Sequence, residues 1–128
     1  MNFHIITLFP KAFDSYLGES ILKRAIEDKK IKVSFYNPRD FVENKWKRVD
    51  RPPYGGGPGL VIEAEPVVKA VEAALKKSKN KAKIIFLSPR GKQFTNEYAS
   101  KTAKKFKNII LVCGRYEGID ASATKMLK

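Results

Sequence analysis

The chain has 128 residues, the size of one ordinary domain, and its 43% hydrophobic content is enough for a packed core, which excludes disorder throughout. Twenty-six Lys and Arg against 13 Asp and Glu leave a formal charge of +13. Such an excess suits a polyanion, because each neutralised phosphate releases counterions; a lysine-rich soluble surface is the plainer alternative. One cysteine excludes an internal disulfide framework and suits a reducing compartment. The opening MNFHIITLFPKAF has no basic leader and is broken by Pro10, and nothing approaches the roughly 18 apolar residues of a membrane span. The expectation is a cytoplasmic protein with no membrane partner.

In chain order, Phe3 to Phe9 is a nearly continuous apolar run closed by Pro10 and predicts a buried strand. Ser20 to Lys29 predicts a helix, with Ser20 as its cap and Ile21, Leu22, Ala25 and Ile26 on one face. Ile31 to Tyr36 alternates like a strand. Arg39 to Gly59 has little periodicity and much Pro and Gly, and reads as a long functional loop. Pro66 then sits in the first turn of a helix whose Val67, Ala70, Val71, Ala74 and Leu75 recur at helical spacing, and KKSKNKAK ends it as a basic surface turn. Lys83 to Leu87 predicts a second apolar strand. Thr95 is placed to cap a helix carrying Tyr98, Ala99, Thr102, Ala103 and Phe106 on one side, and Asn108 to Val112 predicts another buried strand.

This alternation implies an α/β fold with right-handed crossovers, a parallel sheet and helices on both faces. Ligands of such sheets bind beyond the carboxyl ends of the strands. Two segments begin at such ends: Leu87 to Gly91 (LSPRG) and Cys113 to Gly118 (CGRYEG).

Ser88-Pro89-Arg90-Gly91 reads as a tight turn, with Pro presetting one angle and Gly permitting a positive one. It can offer backbone groups to a flat heterocycle, although an ordinary strand-to-helix turn explains it as well. In the second segment Gly114 admits close approach of a ligand. Tyr116 can stack on a base or pack beneath the loop, and Arg115 can contact phosphate or pair with Glu117. Glu117 can bind a metal, orient a polar ligand group or cap the next helix. A structural turn explains any one of these residues better than all of them together.

The segment Arg51 to Gly59 (RPPYGGGPG) is neither a P-loop nor a dinucleotide fingerprint. Three consecutive glycines need something to hold them, such as a nucleotide or a partner subunit; a flexible linker is the alternative. Upstream, Lys45, Trp46, Lys47, Arg48, Asp50 and Arg51 mix cations with an aromatic, a composition suited to RNA. His4 reads as a structural polar group. Cys113 reads as a small buried residue, with no His or Asp placed by spacing to activate it. No zinc spacing and no Ser–His–Asp pattern is visible.

Taken together, Thr7 to Pro10 (TLFP) with Phe13, Asn37 to Phe41 (NPRDF), RPPYGGGPG, LSPRG and Cys113 to Asp120 (CGRYEGID) resemble the bacterial tRNA (guanine-N1)-methyltransferase family, a member of the trefoil-knotted SPOUT methyltransferases. The resemblance implies S-adenosylmethionine as methyl donor, transfer to N1 of the guanosine 3′ of the tRNA anticodon, a homodimer and a magnesium requirement. It assigns Leu87, Ser88, Pro89, Arg90 and Gly91, with Gly114, Tyr116, Glu117 and Gly118, to the cofactor pocket. It places Arg51, Tyr54, Gly55, Gly56, Gly57, Pro58 and Gly59 near the target guanosine and the dimer interface; Arg48, Asp50 and Arg115 are assigned with them to the tRNA, and Glu117 is the candidate for metal or substrate guanine.

The family pattern continues with a glycine-containing segment that closes knot and pocket, a linker carrying the catalytic aspartate, and a helical tRNA-binding domain. No part of residues 1–128 matches these. The expectation is therefore one methyltransferase domain with an incomplete knot, the general base beyond residue 128, the C-terminal tRNA-binding domain absent, and little activity in the chain alone. The alternatives are another SPOUT RNA methyltransferase, which would not be expected to carry the YGGGPG loop, and a non-catalytic RNA-binding or dimerisation module.

Overall fold

The computed structural model describes residues 1–115 and 118–127. The elements run β1 (Asn2–Ile6), a 3-10 turn at Pro10–Phe13, α1 (Asp14–Leu17), α2 (Ser20–Glu27), β2 (Lys32–Tyr36) and a second 3-10 turn at Pro38–Phe41. There follow β3 (Asp50–Arg51), β4 (Val61–Ile62), α3 (Ala64–Lys77), β5 (Lys83–Phe86), α4 (Asn96–Lys105), β6 (Asn108–Val112) and α5 (Ser122–Met126). Four strands form one sheet in the order β2-β1-β6-β5, and every pairing is parallel, as the alternation of elements predicts. Right-handed crossovers in that order put α3 on one face and α2 and α4 on the other.

The core follows from the apolar runs. Ile6, Ile110 and Val112 of the two central strands are at most 1% exposed. They pack against Val67, Ala70, Val71 and Ala74, the predicted stripe of α3, whose alanines let the helix lie close to the sheet. His4 is buried in β1 with both ring nitrogens satisfied: Nδ1 lies 3.2 Å from the Tyr36 hydroxyl and Nε2 lies 3.2 Å from Asn108 Oδ1. It is the structural group its position suggests, and burial pushes the Tyr36 phenol above its ordinary value.

Several expectations change. β1 stops at Ile6 rather than Phe9, because Thr7 Oγ1 accepts from the Phe9 amide at 3.1 Å and turns the chain before Pro10. Ser20 is not a cap: it lies inside α2 with φ of 52°, Glu19 holds the cap position, and no side chain caps the helix. Ile21 is 75% exposed, which narrows the buried face to Leu22, Ala25 and Ile26. The long loop contains structure of its own, since β3 pairs antiparallel with β4 and Val49 is fully buried beside them. Thr95 does cap α4, accepting from the Tyr98 amide at 3.1 Å. Of the predicted face of α4, Thr102 is buried, Ala99 and Phe106 are half-buried, and Tyr98 and Ala103 are exposed.

Replacing Ile110 with Ala removes a fully enclosed side chain at the sheet centre. A stability loss of about 2–5 kcal/mol in urea unfolding is expected, and a loss below about 1 kcal/mol would contradict this account of the core.

Candidate functional site

β5 and β6 are neighbours in register Phe86↔Val112, so the chain leaves both strands at one edge. The Leu87 amide continues the ladder to the Val112 carbonyl at 3.1 Å, and the Cys113 amide donates to the Ile6 carbonyl at 2.9 Å. Beyond them the LSPRG turn closes with the Gly91 amide on the Ser88 carbonyl at 3.1 Å and the Arg90 amide on Ser88 Oγ at 3.2 Å. The positive φ expected at Gly91 is not found. The small residue has another reason there: an added Cβ would come within 3.3 Å of the Ser88 carbonyl.

The second loop turns at Gly118, whose φ is +119° and whose amide donates to the Arg115 carbonyl at 3.1 Å. Its carbonyl accepts from the Ile62 amide at 2.9 Å, which ties the loop to β4. Leu87, Ser88, Pro89, Gly114, Gly118 and Ile119 together line a cleft of about 400 Å³. A neighbouring recess of about 420 Å³ extends over Cys113 and Arg115. Among the described residues, neither the Leu87 carbonyl nor the Gly114 amide has a hydrogen-bond partner. Among the described residues a Cβ on Gly114 would meet only Ile119, at an ordinary 3.6 Å, and its φ is not positive, so the packing of those residues does not demand glycine there. Tyr116 and Glu117, with their expected stacking, polar and metal roles, lie outside the described residues.

The third segment reaches this edge through a contact the sequence does not announce. Arg51 in β3 pairs with Asp120, with side chains 23% and 12% exposed. Asp120 Oδ1 also accepts from the Ser122 amide at 3.0 Å and its hydroxyl at 2.9 Å at the head of α5. The Ser122 amide is the main reason the Asp120 carboxyl is held below its usual range, with the Ser122 hydroxyl and Arg51 adding to it. The Arg51 guanidinium also lies 3.7 Å from the centre of the Tyr54 ring.

The glycine loop is otherwise open. Gly56, Gly57 and Gly59 have φ of +75°, +93° and +94°, and a Cβ on Gly55, Gly56 or Gly57 would meet nothing within 4 Å. Backbone conformation, not close packing, calls for glycine at 56 and 57, and Gly59 shares the positive φ. Arg51, together with the Gly56 amide on the Pro53 carbonyl at 3.1 Å, holds the loop within the chain. Arg48 lies 3.9 Å from Asp50 and is braced by Asn44. Trp46 and Tyr54 stand 79% and 86% exposed, with Lys45 over the Trp46 ring at 5.3 Å. Arg115 lies 5.1 Å from the ring of Phe9, which brings the TLFP segment to the same edge.

Among the described residues no three His, Cys, Asp or Glu side chains come together, and the candidate metal ligand Glu117 lies outside those residues. Burial pushes the Cys113 thiol up, away from thiolate chemistry, as its sequence context suggests.

Replacing Asp120 with Ala should cost about 1.5–3 kcal/mol of stability, the range of hydrogen bonds to a charged group. The depressed carboxyl contributes stability above its unfolded value near 3.8 and loses it as pH falls through the lower folded value. Unfolding measured from pH 6 down to 2 should therefore show a flatter acid limb in Asp120→Asn, and an unchanged acid limb would contradict the assignment.

The sequence model of the family described as tRNA (guanine-1)-methyltransferase TrmD matches residues 1–127. The chain is 49% identical over 120 residues to a tRNA (guanine-N(1)-)-methyltransferase of Caldanaerobacter subterraneus subsp. tengcongensis, an alignment covering 94% of this chain and 48% of that one. It is 46% identical over 121 residues to the protein of that name in Clostridioides difficile strain 630, covering 94% and 52%. The crystal structure of tRNA (m1G37) methyltransferase from Aquifex aeolicus superposes with a TM-score of 0.83 at 30% identity, over 98% of this chain and 56% of that one. The chain thus spans about half the length of the curated relatives it matches.

Proposed function

Starting from the finding that the chain belongs to the tRNA (guanine-1)-methyltransferase family, we propose that its strand-end cleft holds S-adenosylmethionine for methyl transfer to N1 of the guanosine 3′ of a tRNA anticodon. When bound, that cofactor supplies an electrophilic methyl group on its sulfonium. The observation that carries the reading is the cleft lined by Leu87, Ser88, Pro89 and Arg90 on one side and by Gly114, Gly118 and Ile119 on the other. Its volume suits a nucleoside-sized ligand, Leu87 and Ile119 offer apolar walls, and the Leu87 carbonyl and Gly114 amide are suited to the polar edge of an adenine. By resemblance, Arg90, Tyr116 and Glu117 belong to the same pocket.

Guanine N1 carries a proton at neutral pH, so transfer needs a base to remove it and a cation to stabilise charge building on the guanine oxygen. Arg115, at the mouth of the recess, is the candidate cation. The base is assigned to no residue of this chain, and no step is routed through a metal. The guanosine must be splayed from its stack, which an anticodon loop permits. Arg48, Asp50, Arg51 and the exposed Tyr54–Gly59 loop are proposed to meet that loop, with a second copy of the chain completing the site. We take the matched region to be the cofactor-binding part of the family's longer proteins, with low transfer activity in isolation. No helix among the described residues is long and apolar enough to cross a membrane.

Gly114→Ala separates the cleft from the fold. Its melting temperature should stay level or rise, because the backbone there accepts a side chain. Calorimetry should show S-adenosylmethionine binding at least about tenfold weaker, or about 1.4 kcal/mol. Unchanged affinity would remove the cleft from the account. RNA binding without any binding of S-adenosylmethionine would favour a non-catalytic RNA module instead.

A further inference from the structure

The chain's excess positive charge is not concentrated at the cleft edge. There the cations share the connection after β2 with Asp40, Glu43, Asp50, Glu63 and Glu65, which lie in that loop and the helix start that follows it. At the opposite edge, where the strands begin, Lys32 opens β2, Lys83 opens β5 and Lys107 immediately precedes β6. The backbone draws these starts together: the Asn2 amide donates to the Lys107 carbonyl at 2.8 Å, the Lys32 amide to the Met1 carbonyl at 3.0 Å, and the Met1 ammonium to the Lys30 carbonyl at 3.3 Å. Lys32 and Lys83 stand three strand spacings apart, about 14 Å. Glu27 and Asp28 are the nearby acids in sequence, and none of these lysines is in an ion pair among the described residues.

A second observation makes this more than a solvated surface. α2 and α3 both end at this edge in the same way. The Lys29 amide donates to the Ile26 carbonyl and the Lys30 amide to the Ala25 carbonyl; the Lys79 amide donates to the Lys76 carbonyl and the Asn80 amide to the Leu75 carbonyl. These are paired Schellman closures, and each places a lysine in the left-handed position, Lys29 at φ of 57° and Lys79 at 54°. Glycine is the unstrained residue at that position, and a side chain there is strained. The chain accepts that strain twice, each time putting a cation on the same edge.

We propose that this lysine edge is a second RNA-binding surface, which holds backbone phosphates on the side of the sheet away from the methyl-donor cleft. The choice of RNA over other polyanions rests on the family reading above. Lysines act there as point charges, so the surface attracts RNA without reading its sequence.

The test is the double variant Lys29→Gly with Lys79→Gly, followed by fluorescence anisotropy with a labelled tRNA transcript across a salt series. The variant should melt several degrees higher, since glycine relieves the left-handed strain. It should also bind RNA about tenfold more weakly at low salt, with the slope of log affinity against log salt reduced by about 1.5, the change for two lost phosphate contacts. Lys30→Glu with Lys107→Glu should weaken binding in the same direction. An unchanged slope in both variants overturns the proposal, and if substitutions at Arg48 or Arg115 still weaken binding, the family reading stands. A wild-type chain that binds no RNA overturns both together. Weakened binding to phosphatidylserine vesicles with unaltered RNA binding would assign the edge to a membrane surface and also overturn it.

Discussion

All four strands of the main sheet run the same way, and most of what the molecule can do follows from that direction. A parallel sheet sends every strand-to-helix loop to one edge and every helix-to-strand connection to the other. Ile6, Ile110 and Val112 pin the register, because a one-residue slip would turn these fully buried side chains to the opposite face. With register fixed, Leu87 and Cys113 leave adjacent strands side by side. The cleft is therefore a consequence of sheet geometry, and the family's motifs are the chemistry placed in it.

Direction alone does not bring the glycine loop to the cleft. That loop follows β2, which is separated from β6 by β1. The Arg51–Asp120 pair and the Ile62–Gly118 hydrogen bond close the gap by tying β3 and β4 to the end of the second cleft loop. The two ends of the sheet also differ in their arginines. Five of the six arginines, Arg39, Arg48, Arg51, Arg90 and Arg115, lie in the connections that leave the strand ends at the cleft edge, where a planar, directional donor is useful. Lysines mark the strand starts at the other edge. Net charge as a single number conceals this division.

The regular elements were legible in the sequence because their signals are local. The apolar runs of β1, β5 and β6, the stripe of α3 and the Thr95 cap each lie within a few residues of one another, and the parallel sheet followed from their alternation. The candidate cleft was legible for the same reason: LSPRG and CGRYEG could be placed at strand ends without any long-range information. What escaped was non-local or conformational. Nothing in RPPYGGGPG marks Arg51 as the partner of a residue 69 positions away. Two-residue strands and a five-residue helix are too short for periodicity to show, so β3, β4 and α5 were hidden. Ser20 and Gly91 carried the residue types of a cap and a left-handed turn while adopting neither role.

The central claim is that the two loops beyond β5 and β6 form a methyl-donor site. At 14.5 kDa the chain suits amide-resolved nuclear magnetic resonance. Titration with S-adenosylmethionine is predicted to shift the amides of Leu87, Ser88, Arg90, Gly91, Gly114, Gly118 and Ile119 together, while those of Lys29 to Lys32 and Lys79 to Lys83 stay still. Shifts confined to the strand-start edge, or none at saturating donor, would contradict it.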